Sequence, residues 1–364
     1  MYELLSHKLE QHARGENPPP GMDVMGHLAR SSIPSPNGKH PDESPRDLSR
    51  LSTSEIIGNA FIILVAGHET SANALHFTLL ELAANPPAQR ALQRELDRIL
   101  GTADPSTWRY EEKIGPLLGG MLGACMNETL RKVPSVTEIP KRVKGTQVVT
   151  VDGETRVLPA DVKVSLIAVR AQRDPRYWPT RRSRISGKEH DLDDYVPERW
   201  FRTRPGCEYG TRDPDTPDSM ASGESVFSLA GDETPETPVT GDEDGEPGSL
   251  FRPEKGAFLA FSEGPRACLG KRIAQVEIAA ALAVIFQRFS IELAVDDFVD
   301  GDAEGAVEDM DRAAREGVYM RAQGRCRERI DGARSGLTLR MQADEYVPVR
   351  LVRRGEEKFV SWMD

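Results

Sequence analysis

The chain is poor in cysteine. Its 364 residues hold four, Cys125, Cys207, Cys268 and Cys326, far apart and without a Cys-x-x-Cys pair. That usage argues against a disulfide framework and fits reduced thiols in a cytosol-facing protein. Basic residues are outnumbered, 47 Lys and Arg against 58 Asp and Glu, for a net charge of −11. Nonspecific nucleic-acid binding needs a basic surface and is excluded as a function class, although a local basic docking patch is not. Long apolar runs are missing as well. The longest, Ile56 to Ala66, is broken by Gly58 and Asn59 and is too short to span a bilayer. Met1 to Lys8 lacks the sustained apolar region of a signal peptide, so the sequence as written shows no membrane anchor. There is no internal repeat. What is present, 38% hydrophobic and 29% charged residues, is enough for one large domain or two smaller ones with some polar segments left out.

Residues 1–50 form a linker-like N-terminal segment, because 11–50 are rich in Pro, Gly, Ser and charge. Residues 51–364 are read as the folded part. Ser52-Thr53-Ser54-Glu55 is a capping-box signature that opens a long helix, and Asn85-Pro86-Pro87 stops it. About 32 helical residues span roughly 48 Å, enough to cross a domain. A second helix is predicted from Pro87 to Leu100, ending at Gly101, and a third from about Pro116 to Lys132. Short strands follow at Gln147 to Val151, Arg156 to Leu158 and Val162 to Ala168, the first two joined at Asp152-Gly153. Residues 203–250, acidic and rich in Gly, Pro and Thr, read as a disordered surface insertion. A helix is expected from Leu269 to Phe289, then an acidic stretch from Asp296 to Asp311 and a last β region around Leu337 to Leu351.

The most informative segment is Phe261-Ser262-Glu263-Gly264-Pro265-Arg266-Ala267-Cys268-Leu269-Gly270. A cysteine between a glycine-bearing turn and a helix start lies where unpaired backbone N–H groups and the helix dipole favour a thiolate. That is a place to hold an anionic sulfur ligand on a metal. Gly264 can supply a backbone angle closed to other residues, Gly270 allows close approach of a flat ligand, and Arg266 suits a carboxylate on that ligand. The alternative is an ordinary buried cysteine ahead of a packing helix.

The pattern Phe-x-x-Gly-x-Arg-x-Cys-x-Gly resembles the haem-binding loop of the cytochrome P450 family, the haem-thiolate monooxygenases, and Phe261, Gly264, Arg266, Cys268 and Gly270 all match. Three further motifs occur in the family's order. Ala66-Gly67-His68-Glu69-Thr70 in the long helix resembles its oxygen-binding motif; on the residues alone, Gly67 weakens the helix and Thr70 can compete for a backbone carbonyl and open a groove. His68 reads as an ordinary helix residue. Glu128 and Arg131, three apart on one helix face, match the Glu-x-x-Arg motif, and Pro197-Glu198-Arg199-Trp200 matches a Pro-Glu-Arg-Phe segment with Trp for Phe. Arg173-Asp174-Pro175 also fits, with Gln172 where the family often has His, a change expected to matter little. Ile139 to Arg142 follows the third helix as a haem-side strand does, with Lys141 or Arg142 near a propionate.

The resemblance implies a mainly α fold with small β-sheets, haem (iron protoporphyrin IX) as cofactor and Cys268 as its axial thiolate and metal ligand. It implies catalytic roles for Thr70 and Glu69 in handling dioxygen and protons, and a structural role for Glu128, Arg131 and Arg199. The reaction would put one oxygen atom from O2 into an apolar small-molecule substrate. Electrons would come from NADPH through a cytochrome P450 reductase at the cytosolic face of the endoplasmic reticulum membrane, as in fungal-type microsomal members. The family carries a whole N-terminal half ahead of the long helix, and here about 50 residues precede it. The chain therefore reads as an N-terminally truncated member, and the alternative function is a catalytically inactive remnant or interaction module. A third reading keeps haem but makes the reaction an oxygen-independent rearrangement, which the Glu69–Thr70 pair speaks against.

Overall fold

The computed structural model describes residues 1–15, 23–32, 51–151, 153–201, 250–299, 307–308, 310–336, 338–342 and 344–359. The expected acidic insertion up to residue 249, Cys207, Asp152 and half of the second acidic stretch lie outside these residues.

Helix α3 (Thr53–Ala84) is the long helix of 32 residues, opened by the capping box. The Glu55 amide donates to Ser52 Oγ at 3.3 Å, and the Ser52 amide donates to Glu55 Oε2 at 2.8 Å, so two orphan donors of the first turn are satisfied. Asn85 ends α3 and begins α4 (Pro86–Leu100), where Pro86 costs no hydrogen bond because the first helical N–H has no partner in any case. Gly101, at φ +57°, stops α4.

The single helix expected from Pro116 to Lys132 is two, α5 (Tyr110–Gly119) and α6 (Met121–Lys132), with Gly120 extended between them. The buried carboxylate of Glu95, from α4, accepts the Met121 amide at this break and occupies the space a side chain at Gly120 would need. The break is thus a tertiary feature, set by a residue some twenty-five positions upstream.

The N-terminal segment also departs from the linker reading. Helices α1 (Tyr2–Ala13) and α2 (Val24–Arg30) bury Leu5, Met25 and Ala29 with Ile56 at the start of α3, forming a small separate cluster. The main core lies around the second half of α3. There α4, α6, α8 (Lys271–Arg288) and α9 (Arg312–Asp331) pack on Phe77, Leu80, Leu82, Ala83 and Ala84, using Leu92, Leu122, Leu282, Phe286 and Ala322 among others. Helix α7 (Ala168–Ala171) is a single turn.

Four two-stranded antiparallel ladders complete the architecture. β1 (Glu138–Arg142) pairs with β4 (Lys163–Ile167), and β2 (Gln147–Val151) with β3 (Glu154–Leu158), where Val151 faces Glu154 across the expected hairpin. β5 (Phe289–Leu293) pairs with β8 (Val349–Arg353), and β6 (Arg334–Ser335) with β7 (Leu339–Arg340). The result is the mainly α fold with small sheets that the sequence implied. Among the described residues no helix is long and apolar enough to cross a membrane.

Helix α9 had no counterpart in the sequence reading. Its apolar residues Val318, Ala322, Cys326 and Ile330 are sparse among six arginines, so its buried stripe is narrow. Polar side chains dock it instead. Tyr319 Oη donates to the Ala83 carbonyl (2.8 Å) and Gln323 Nε2 to Ala84 (2.9 Å), satisfying two carbonyls at the end of α3 that have no intrahelical partner, and Cys326 Sγ reaches the Leu80 carbonyl (3.8 Å) one turn earlier.

Candidate functional site

Glu128 and Arg131 lie one turn apart on α6 and are fully buried. Arg131 Nε and Nη2 donate to the two Glu128 oxygens at 2.9 and 2.8 Å, a bidentate pair. Arg199, also fully buried, adds Nε to Glu128 Oε1 at 3.3 Å. Trp200 Nε1 donates to Oε2 at 2.9 Å, and the Val196 amide donates to Oε1 at 3.1 Å. Burial opposes ionisation of this carboxyl, but the Arg131 and Arg199 guanidiniums outweigh it and hold the pKa down at about 2. The remaining guanidinium nitrogens also have partners. Arg131 reaches the Gln172 and Leu192 carbonyls (3.1 and 2.9 Å), and Arg199 reaches Asp191 Oδ1 and O (3.2 and 3.0 Å) and the Pro179 carbonyl. A buried ion cluster is tolerated only when its polar atoms are met in this way.

Aromatic rings join this cluster to the cysteine loop. Trp178 and Trp200 pack edge to face at 5.3 Å, Phe258 packs on Trp200 at 5.2 Å, and the Arg131 guanidinium lies 5.5 Å from the Trp178 ring centre. Phe258 begins the segment that leads into the loop.

The loop is closed by its backbone. The Cys268 amide donates to the Phe261 carbonyl (2.8 Å), the Ser262 amide to Leu259 (2.9 Å) and the Ala267 amide to Gly264 (2.9 Å). Ser262 and Gly264 both have positive φ, +57° and +72°. The glycine takes that angle without cost, whereas the serine stores strain on the order of 1 kcal/mol. Phe261 is half-buried against the main core, with Lys271 Nζ 5.7 Å from its ring centre. Helix α8 begins at Lys271 rather than Leu269, so Cys268 sits in the turn ahead of it and the Lys271 amide donates to the Cys268 carbonyl at 3.3 Å.

Cys268 is exposed, as are Arg266 and Leu269, the last at 89%. Its Sγ has no hydrogen-bond partner among the described residues, whereas Cys125 and Cys326 are buried. Burial pushes both of those thiols up, Cys326 to about 12. Of these three cysteines only Cys268 is available to a ligand. An open thiol at a helix start, beside an exposed arginine and a glycine, is a donor set that fits a metal-bearing planar group with carboxylate arms.

The middle of α3 is similarly bare. Phe61, Ile62, Leu64 and Val65 are exposed, and Gly67 has open space where a side chain would stand. The helix runs unbroken through this stretch, and Thr70 Oγ1 donates to the Ala66 carbonyl at 2.7 Å, the competition expected of a helical threonine. The Thr70 carbonyl accepts from Ser135 Oγ at 3.0 Å, which ties this turn to the end of α6. Glu69 is half-buried and His68 exposed, and no group of three metal-ligating side chains occurs among the described residues. Lys141 and Arg142 are exposed on β1, with Arg142 3.6 Å from Asp161.

Two buried groups escaped the sequence reading, and a third, Gln172, was read there as mattering little. Lys132, next to Arg131, pairs with Glu81 of α3 at 2.7 Å. Asp191 holds Arg199. Gln172 bridges α6 to the segment ahead of the cysteine loop. Pairings over 51, 8 and 87 positions leave no periodic signal.

The family model described as Cytochrome P450 matches residues 2–181 and 246–306, and the chain belongs to that family. It is 28% identical over 306 residues to a cytochrome P450 monooxygenase of Arthrobotrys oligospora, covering 81% of this chain and 45% of that protein. It is 26% identical to a sesterfisheric acid synthase of Neosartorya fischeri (70% and 35% covered) and 32% identical to human cytochrome P450 3A5 (45% and 31% covered). The chain spans less than half the length of each of these relatives. All of α9 and the last strands lie beyond the family match.

Proposed function

We propose that the chain carries the haem-thiolate half of a cytochrome P450 monooxygenase, with Cys268 as the axial ligand. The supporting observation is an exposed, unpartnered thiol in a backbone-closed loop, backed by the buried Glu128–Arg131–Arg199 cluster. Haem, when bound, supplies the iron that activates dioxygen, and in this family the thiolate favours O–O cleavage. Cys268 Sγ binds as the anion, and Arg266 offers its guanidinium to a carboxylate. The backbone N–H groups of Leu269 and Gly270 would tune the sulfur once it holds the metal.

Thr70 Oγ1 gives its own proton to the Ala66 carbonyl and so keeps lone pairs to accept a proton-bearing water or oxygen. Glu69, the neighbouring carboxylate, is the group suited to supply protons. Phe61, Ile62, Leu64 and Val65 give an apolar wall that suits an apolar substrate and keeps water from it once covered. Dioxygen and an electron donor of the NADPH–cytochrome P450 reductase type are the partners this chemistry requires, and the cytosolic face of the endoplasmic reticulum is the proposed location.

The same bare wall favours a second reading, a catalytically inactive remnant or interaction module, since exposed apolar patches mark binding surfaces. A carbon monoxide difference spectrum of the reduced, haem-reconstituted chain separates the two. A thiolate-type Soret band supports the first reading. Its absence, with the fold intact by circular dichroism, supports the second.

A further inference from the structure

Gln172 caps the single-turn helix α7 and is fully buried. Its Nε2 donates to the Leu130 and Arg131 carbonyls at 3.0 and 2.9 Å. Its Oε1 accepts the Leu259 amide at 2.8 Å. The next residue, Arg173, donates Nη2 to the Lys132 carbonyl at 2.8 Å, so the last three carbonyls of α6 are met by two adjacent side chains. One amide therefore joins two separate pieces of the molecule: the end of the helix bearing Glu128 and Arg131, and the strand of chain entering the cysteine loop. From Leu259 the link reaches Cys268 through two backbone bonds, Ser262 to Leu259 and Cys268 to Phe261.

We propose that Gln172 is a positioning residue for the cysteine loop, its side-chain amide fixing where Cys268 Sγ stands relative to α6. The proposal rests on the haem-thiolate reading only for its spectral consequence. An apolar contact tolerates sliding, whereas an amide that donates twice and accepts once fixes a separation. The aromatic cluster of Trp178, Trp200 and Phe258 supplies attraction between the same two pieces but no comparable length constraint. A leucine would fill the volume of Gln172 and leave two carbonyls and one N–H unmet.

The test compares the full chain with Gln172→Leu and Gln172→Asn. The asparagine variant keeps the amide but is one methylene too short to reach both sides, and it carries the test if the leucine variant does not fold. Without haem, amide exchange at Leu259 and Cys268 should rise about five- to tenfold, the weight of one hydrogen bond, while amides in Ile278–Ala283 of α8 keep their protection. With haem and carbon monoxide, part of the thiolate-type Soret band should move to the position of a neutral thiol ligand. Unchanged loop exchange together with a full thiolate band in a folded variant overturns the proposal. So does an equal loss of protection in the loop, α6 and α8, which is what a purely structural role produces. If the unmodified chain gives no thiolate band but its loop still responds to the substitution, the haem-thiolate reading falls and the positioning role stands.

Discussion

The indole N–H of Trp200 donates to the Glu128 carboxylate at 2.9 Å, inside a protein where both side chains are buried. Trp200 stands where the family pattern has phenylalanine, which has no such donor. The exchange thus adds a hydrogen bond to a carboxylate already held by two arginines. Trp200→Phe should keep the fold and lose on the order of 1–3 kcal/mol, measured by urea unfolding, because one buried acceptor loses a partner.

Removing a charge from the same cluster should cost more. Arg131→Leu leaves Glu128 buried with Arg199 as its one guanidinium partner, and breaking a buried pair costs about 3–5 kcal/mol. Denaturant midpoints with unchanged m-values check this. A loss below about 1 kcal/mol would contradict the buried geometry.

The cluster also sets a pH response. Glu128 titrates at about 2 in the folded chain against an ordinary value of 4.5, so the folded state favours the ionised form. Its contribution to stability is complete above pH 4.5 and is lost as the pH falls from there toward 2. The difference is worth on the order of 3 kcal/mol. Unfolding free energy measured between pH 6 and 2.5 should fall accordingly, and Glu128→Gln should flatten the part of that slope due to this group.

Cys268→Ala should abolish thiolate-type haem ligation while leaving circular dichroism and thermal unfolding nearly unchanged, because the side chain is exposed and makes no hydrogen bond. Thr70→Val should keep both the ligation and the helix, since the back-bond to Ala66 is lost without burying an unmet group. In a chain that turns over, it should lower product formed per NADPH consumed. Thiolate ligation retained in the alanine variant would remove Cys268 from the site.

Helix α9 is held to α3 by donors as much as by apolar contact. Gln323→Leu should cost about 1–3 kcal/mol by leaving the Ala84 carbonyl unmet, with exchange rising first in the last turn of α3.

What was legible in the sequence is what local chemistry dictates. The capping box at Ser52 and Glu55, the stop at Asn85-Pro86, the hairpin strands flanking Asp152-Gly153 and the cysteine loop are each written within a few neighbouring residues. Helix α9 was not legible, because its apolar stripe is thin and its docking depends on donors that find the end of α3 more than 200 positions away. The break at Gly120 was hidden for the same reason, as Glu95 enforces it from another helix. The first 50 residues read as linker on composition, yet α1 and α2 find an apolar partner in Ile56 at the start of α3.

The sequence by itself determined the residue types on which the proposed chemistry rests: one cysteine in a Gly-x-Arg-x-Cys-x-Gly turn before a helix, and an acid and a hydroxyl in mid-helix, with local geometry that follows from those types. Only the tertiary structure decided which charges are buried and what fixes the loop. Glu128 is an ordinary helical carboxylate until Arg131, Arg199 and Trp200 surround it, and Gln172 is an amide of little expected consequence until Leu130, Arg131 and Leu259 meet around it. Apart from Arg131, one turn from Glu128 on the same helix, those partners come from segments distant in the chain. Their interaction acquires its strength from the exclusion of water, which exists only once the chain has folded.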